Sequence, residues 1–163
     1  MRSTFIRPTN KYTPDKQSLL FELMRDHLDQ LLNTWGSEPR PAGALARIEG
    51  FGRFHIRFHL ALPEAVFIAY MELRNLAPEN FTEIEALRHR YEENLEQILR
   101  AGRAEGAFDP GDTRLTEMAL IAMLTGVTGW FRDTGRLSRG QVEDHYAGLV
   151  LRAVGAGQGA ASA

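Results

Sequence analysis

Apolar positions along this chain recur every three or four residues, the period of a helix with one buried face. Leu20, Leu23, Met24, His27, Leu28, Leu31 and Trp35 form the first such stripe. Thr13 is placed to cap that helix, and Pro14 stands at its first position, where a missing N–H costs nothing. The segment GSEPRPAG, residues 36–43, then breaks the pattern with two prolines and two glycines. A second helix is predicted from about Ala44 to Leu60. Leu45, Ile48, Gly52, His55 and His59 share one stripe of it, and Phe51, Phe54 and Phe58 form the next. Pro63 opens a third helix, whose run AVFIAYM (65–71) has the continuity of a buried segment. A strand would need a pairing partner that the rest of the chain does not offer.

Pro78 opens a long fourth helix with Ile84, Leu87, Tyr91, Leu95 and Ile98 in register. Gly106 fits the position after its end, ahead of the stop Asp109-Pro110. Asp112 can cap a fifth helix that carries MALIAMLTGVTGWF to about Arg132. Ser138 and Gln141 have the spacing of a capping box for a sixth, which presents Val142, Tyr146, Leu149 and Val150. The pattern predicts an all-α fold: one six-helix domain over residues 13–154. Residues 1–12 read as an N-terminal tail, and residues 155–163 as a disordered tail of small residues.

The fifth helix carries the strongest implication. Between Glu117 and Arg132 it holds no charge. A helix apolar on every side must be covered on every side. One side can face its own domain, and in a chain this small the other calls for a partner. Ala119, Ala122, Gly126 and Gly129 would let a second backbone approach, and the last helix adds Val142, Tyr146, Leu149, Val150 and Ala153. Two such helices from each of two chains make a four-helix interface around a two-fold axis. Packing of both helices within one monomer is the competing reading.

Composition narrows the chemistry. The chain has 163 residues, a net charge of −2 and no cysteine. A disulfide framework, a thiol nucleophile and a cysteine zinc site are therefore excluded. The near-neutral balance offers no broad electrostatic footprint for nucleic acid. No signal-peptide pattern opens the chain. The longest uncharged stretch, residues 118–131, falls short of the roughly 20 residues that cross a bilayer. These features predict a cytoplasmic protein without membrane contact.

His55 and His59 lie one turn apart, a spacing that can hold a metal, with His89, Glu92, Glu93 and Glu96 on the fourth helix as further donors. The paired Glu-x-x-His motifs of a diiron bundle are missing. Two histidines on an apolar stripe are better read as packed and hydrogen-bonded within the fold. Nucleophile-elbow and phosphate-loop motifs are absent, so no catalytic residue, metal or cofactor is assigned and an enzyme is not expected.

Four stretches resemble one family in order and spacing: PDKQSLLFELM, FHIRFHLALPEA, ELRNLAPENFTEIEALRHRYEENLEQIL and GVTGWFRDTGRLS. Across residues 12–154 the chain resembles the C-terminal, effector-binding and dimerisation part of TetR-type transcriptional regulators. The resemblance is to the group that senses lipid-derived acyl-CoA compounds, KstR2-like regulators included. Thr13 departs from the pattern, standing where the family usually has an aromatic residue.

The resemblance implies a homodimer built on the last two helices and a cavity for a small apolar or acyl-CoA-like effector. It turns Phe58, Phe67, Tyr70, Met71, Tyr91, Met118, Met123 and Trp130 from plain core candidates into candidate pocket walls, since aromatic and Met side chains repack around irregular apolar ligands. Arg74 and Arg88 become candidate partners for a carboxylate or CoA phosphate. The same resemblance implies a DNA-reading helix-turn-helix ahead of the first helix, and the chain is expected to lack it. Arg2, Arg7 and Lys11 alone would hold DNA weakly and without specificity. Direct DNA binding is thus not expected. Pairing with a full-length relative, or action as a helical interaction module without ligand, are the alternatives.

Overall fold

The computed structural model describes residues 13–156, with side chains from residue 16 onward. The helices are α1 (Thr13–Ser37), α2 (Ala44–Ala61), α3 (Pro63–Met71), α4 (Pro78–Ala104), α5 (Thr113–Thr125), α6 (Val127–Trp130) and α7 (Arg139–Ala153). A single 3-10 turn, Leu73–Asn75, links α3 to α4, and no strand occurs among the described residues. The expected tail over residues 1–12, its basic residues and the cap at Thr13 lie outside what is described, as do residues 157–163.

Local chemistry sets most boundaries. Asp112 accepts a hydrogen bond from the Leu115 amide, and Ser138 and Gln141 form a reciprocal capping box ahead of α7. Gly106 takes φ +68° directly after α4, the left-handed turn that only glycine adopts without strain. The fifth predicted helix does not run unbroken to Arg132. It stops at Thr125, and α6 resumes for one turn after Gly126. Gly155, at φ +75°, and Ala156 close α7 through bonds to the Arg152 and Leu151 carbonyls. Helix-capping structure thus continues two residues past the expected domain end.

Helix α2 is central and packs on α3, α4, α5, α6 and α7, while α1 lies across α3 and α4. The core joins Met24, Leu28, Leu31 and Trp35 of α1 to Ile48, Phe51, Phe54 and Ile56 of α2, Ile84, Tyr91, Leu95 and Leu99 of α4, and Leu120 and Leu124 of α5. The seam between α2 and α7 is tight. A Cβ added at Gly52 would lie 3.1 Å from Val150 Cγ2, so glycine lets the two helices approach. Val142 and Val150 are both buried in this core. That corrects their assignment to the dimer interface: they face their own chain and are unavailable to a partner.

Candidate functional site

Between α3, α4 and α5 lies an open cleft of about 420 Å³, lined by Tyr70, Arg88, Glu92, Glu117, Met118, Ile121, Ala122, Thr125 and Gly126. Helix α5 forms one wall because Glu117, Met118, Ile121, Ala122 and Thr125 keep three-four spacing. Across the cleft, the Arg88 guanidinium stands 5.1 Å above the Tyr70 ring. One of its nitrogens, Nη1, is bound to Glu85 at 2.8 Å.

The cleft floor is polar. Burial pushes the pKa of the Tyr70 hydroxyl up. Glu117 is fully buried although charged. Its Oε2 accepts from Arg114 at 2.7 Å, while Oε1 has no partner among the described residues. Desolvation raises its carboxyl pKa, partly opposed by the Arg114 charge.

Behind the floor sits a chain of buried polar rings. His55 Nε2 lies 3.1 Å from Thr125 Oγ1, and His55 Nδ1 lies 3.1 Å from the Tyr91 hydroxyl. His59 stacks on His55 with centroids 3.8 Å apart and donates from Nδ1 to the His55 carbonyl at 2.9 Å. His27 meets His59 edge-on at 6.1 Å. Burial lowers the His27 pKa to about 4. Burial, then the charge of His27, lowers His59 to about 3. His55 is driven well below its ordinary value by burial and its two neighbours. All three are neutral near pH 7. Both ring nitrogens of His27, and Nε2 of His59, are buried without a partner among the described residues.

The structure brings Tyr70, Arg88 and Met118 together from the ten candidate ligand residues. Tyr91 is buried behind His55, and Phe58 and Met123 are half-buried against the core. Phe67, Met71 and Arg74 point outward, the first two 60% and 64% exposed. Trp130 does not line the cleft. It stacks 6.4 Å from Tyr146 of α7 and borders a separate groove of about 250 Å³. Among the interface candidates, Ala119, Ala122, Gly126, Gly129 and Ala153 are exposed, and Tyr146 and Leu149 are half-buried. A recess of about 50 Å³ beneath Trp35 has no room for a metabolite.

Sequence reasoning missed Glu92, Glu117, Ile121 and Thr125 as cleft residues and did not single out His27. The available signal was polar Glu117 and Thr125 on the inner side of an apolar helix. No group of three His, Asp or Glu side chains among the described residues is placed to hold a metal. None of the described helices is long and apolar enough to cross a membrane.

Comparison with known proteins places this geometry. A family model, tetracyclin repressor-like, C-terminal domain, matches residues 41–154. The TetR-family regulator PfmR from Thermus thermophilus is 30% identical, with 84% of this chain and 75% of that one covered at a TM-score of 0.75. A TetR-family regulatory protein from Rhodococcus shares the fold at 24% identity and TM-score 0.81, with 93% and 81% covered. The ketosteroid transcriptional regulator KstR2 of Mycobacterium tuberculosis is 25% identical at TM-score 0.74, with 86% and 73% covered. No curated protein matches the chain. The chain belongs to the tetracyclin repressor-like C-terminal domain family, whose members are transcription regulators and not enzymes.

Proposed function

We propose that this domain senses a lipid-derived effector, an acyl-CoA or related acid, in the Tyr70–Arg88–Met118 cleft, and that it works as a cytoplasmic homodimer. One observation carries the reading: Ala122 of α5 and Gly126 at its C-terminal end line the cleft and also belong to the exposed stripe of small residues proposed for pairing. A ligand seated there touches the helix that meets the second copy. Effector binding can therefore bias the geometry of the dimer, provided the two geometries bind it differently. Arg88 supplies a charge for a carboxylate or phosphate at the mouth, and Met118 and Ile121 supply an adaptable apolar wall. Pairing would use Ala119, Ala122, Gly126, Gly129, Tyr146, Leu149 and Ala153, and a stable interface of this kind buries about 2,000 Å² or more. Association with a full-length relative would use the same surface.

Thermal unfolding with a series of acyl-CoAs and the matching free acids tests the sensor. A ligand at about 100 times its Kd adds about 2.7 kcal/mol of stability. Arg88→Ala should lose most of that gain for the anionic ligands. A flat response across the series, in a protein that light scattering shows to be dimeric, would leave a plain pairing module.

A further inference from the structure

Five exposed residues along α5 and α6, Leu115, Met118, Ala122, Gly126 and Gly129, fall on one stripe at three-four spacing. Their order is large, large, small, glycine, glycine. Leu115 and Met118 are 65% and 54% exposed, large apolar surface that their own chain leaves open. The two glycines have no local explanation. Neither takes a positive φ. A Cβ at Gly129 would meet nothing within 4 Å, and one at Gly126 would meet only carbonyl oxygens of its own helix. Glycine within a helix costs stability relative to alanine, so its use here points to a second body that comes close.

The stripe is symmetric about Ala122. Met118 and Gly126 stand at equal separations on either side of it, and so do Leu115 and Gly129. An antiparallel second copy, related by a two-fold axis at Ala122, lays each large residue over a glycine of the other chain. The next pair outward is Asp112 and Arg132, both exposed and again equidistant from Ala122. The same axis brings Asp112 toward the partner's Arg132. Within the chain Asp112 bonds the Leu115 amide and Arg132 bonds backbone carbonyls, so neither charge is paired among the described residues. A parallel arrangement fails on both counts. It sets Asp112 against the partner's Asp112, and Gly129 against the partner's Gly129.

Met118, Ala122 and Gly126 also line the open cleft beside Tyr70 and Arg88. A body seated on the stripe covers that edge of the cleft. We propose that a second copy completes the effector site: α5 pairs antiparallel with its counterpart across Ala122, and the partner's Met118 seats over Gly126 as the outer wall. The inference rests on the cleft being the effector site, and it makes that site incomplete in a lone chain.

The chain has no cysteine, so engineered thiols report on the pairing without background. Coexpressed Met118→Cys and Gly126→Cys chains should form a disulfide-linked dimer on oxidation, and either variant alone should give several-fold less. Absence of the mixed product, or stronger linking within either variant alone, overturns the register. Gly129→Arg lies outside the cleft, and the open space at its Cβ lets the monomer keep its fold, which circular dichroism checks. Light scattering should find this variant monomeric. Calorimetry with acyl-CoAs from butyryl to palmitoyl should find its affinity about tenfold or more below that of the native dimer. A monomer with native affinity overturns the shared wall and leaves the cleft reading standing. A variant that stays dimeric overturns the pairing face. Failure of every acyl-CoA to bind the native protein overturns the cleft reading and the shared wall with it, while the disulfide pattern still decides the pairing.

Discussion

Helix α2 belongs to two regions that solve the same problem in opposite ways. Along the seam with α7 the arginines of α2 are answered. Arg53 bonds Glu49 at 2.9 Å and Asp144 at 2.5 Å, and Arg57 bonds Glu38 at 3.0 Å and Glu143 at 3.3 Å. Beneath these pairs Gly52 and Val150 close the gap. In the histidine cluster three nitrogens go unanswered in the interior. A fold that wanted only stability would have filled that space with Leu or Phe. The contrast separates a seam whose arginines are paired from an interior whose imidazoles are not.

Acid should expose the difference most strongly. The unfolded chain protonates these imidazoles near the ordinary value of 6.5, whereas the folded chain does so near 4 for His27 and 3 for His59. Their folded pKa values are lowered, so the full stability is present above about pH 6.5 and is lost as pH falls. Each histidine contributes a slope of up to about 1.4 kcal/mol per pH unit across its window. Glu117 works the other way, since its raised carboxyl pKa favours the fold at low pH. Denaturant midpoints between pH 7 and 4 should fall steeply. A flat profile would mean the histidines are wet in solution.

Next in size is a break on the other side of the comparison. Gly52→Leu drives a branched side chain into Val150, which already meets a bare Cβ position at 3.1 Å. Overpacking of this sort costs about 3 kcal/mol. Urea unfolding should show it with the slope unchanged.

The hydrophobic period made the seam and the helix order legible, and the caps at Asp112 and Ser138 are local enough to read from a few residues. The cleft was less legible for a physical reason. Its walls come from α3, α4 and α5, and no periodicity within one helix says which of its apolar faces meets a neighbour and which meets a void. Val142 and Val150 sit on the same stripe as Tyr146, yet the approach at Gly52 turns the two valines inward. Trp130 follows the break after Gly126 and is carried to Tyr146 instead of the cleft. The histidines were visible as a stripe on α2. Their lack of partners depends on His27 arriving from α1, which is a tertiary fact.

Two smaller changes sharpen the contrast. His27→Leu replaces an imidazole with no hydrogen bond by an apolar side chain of similar reach. Removing two unpaired buried nitrogens should raise stability by about 1 kcal/mol at pH 7 and flatten the acid slope. Trading one buried group for a better-packed one is a gain only if that group had no structural task, so a loss of stability would return His27 to the ordinary core.

Arg57→Ala touches the seam with the smallest expected effect. The Arg57 side chain is half exposed, and its partners Glu38 and Glu143 are 28% and 19% exposed. Solvent and salt screen such pairs, so the loss should be about 0.5 kcal/mol and shrink as salt rises. Arg53 also lies 4.0 Å from Glu143, which keeps that carboxylate partly neutralised when Arg57 is gone. The two changes therefore differ in sign as well as size: cutting an answered charge weakens the molecule slightly, and deleting an unanswered ring strengthens it. Unfolding free energies of Arg57→Ala, His27→Leu and the double variant, measured at two salt concentrations, would decide it. The effects should add, because the two positions share no partner.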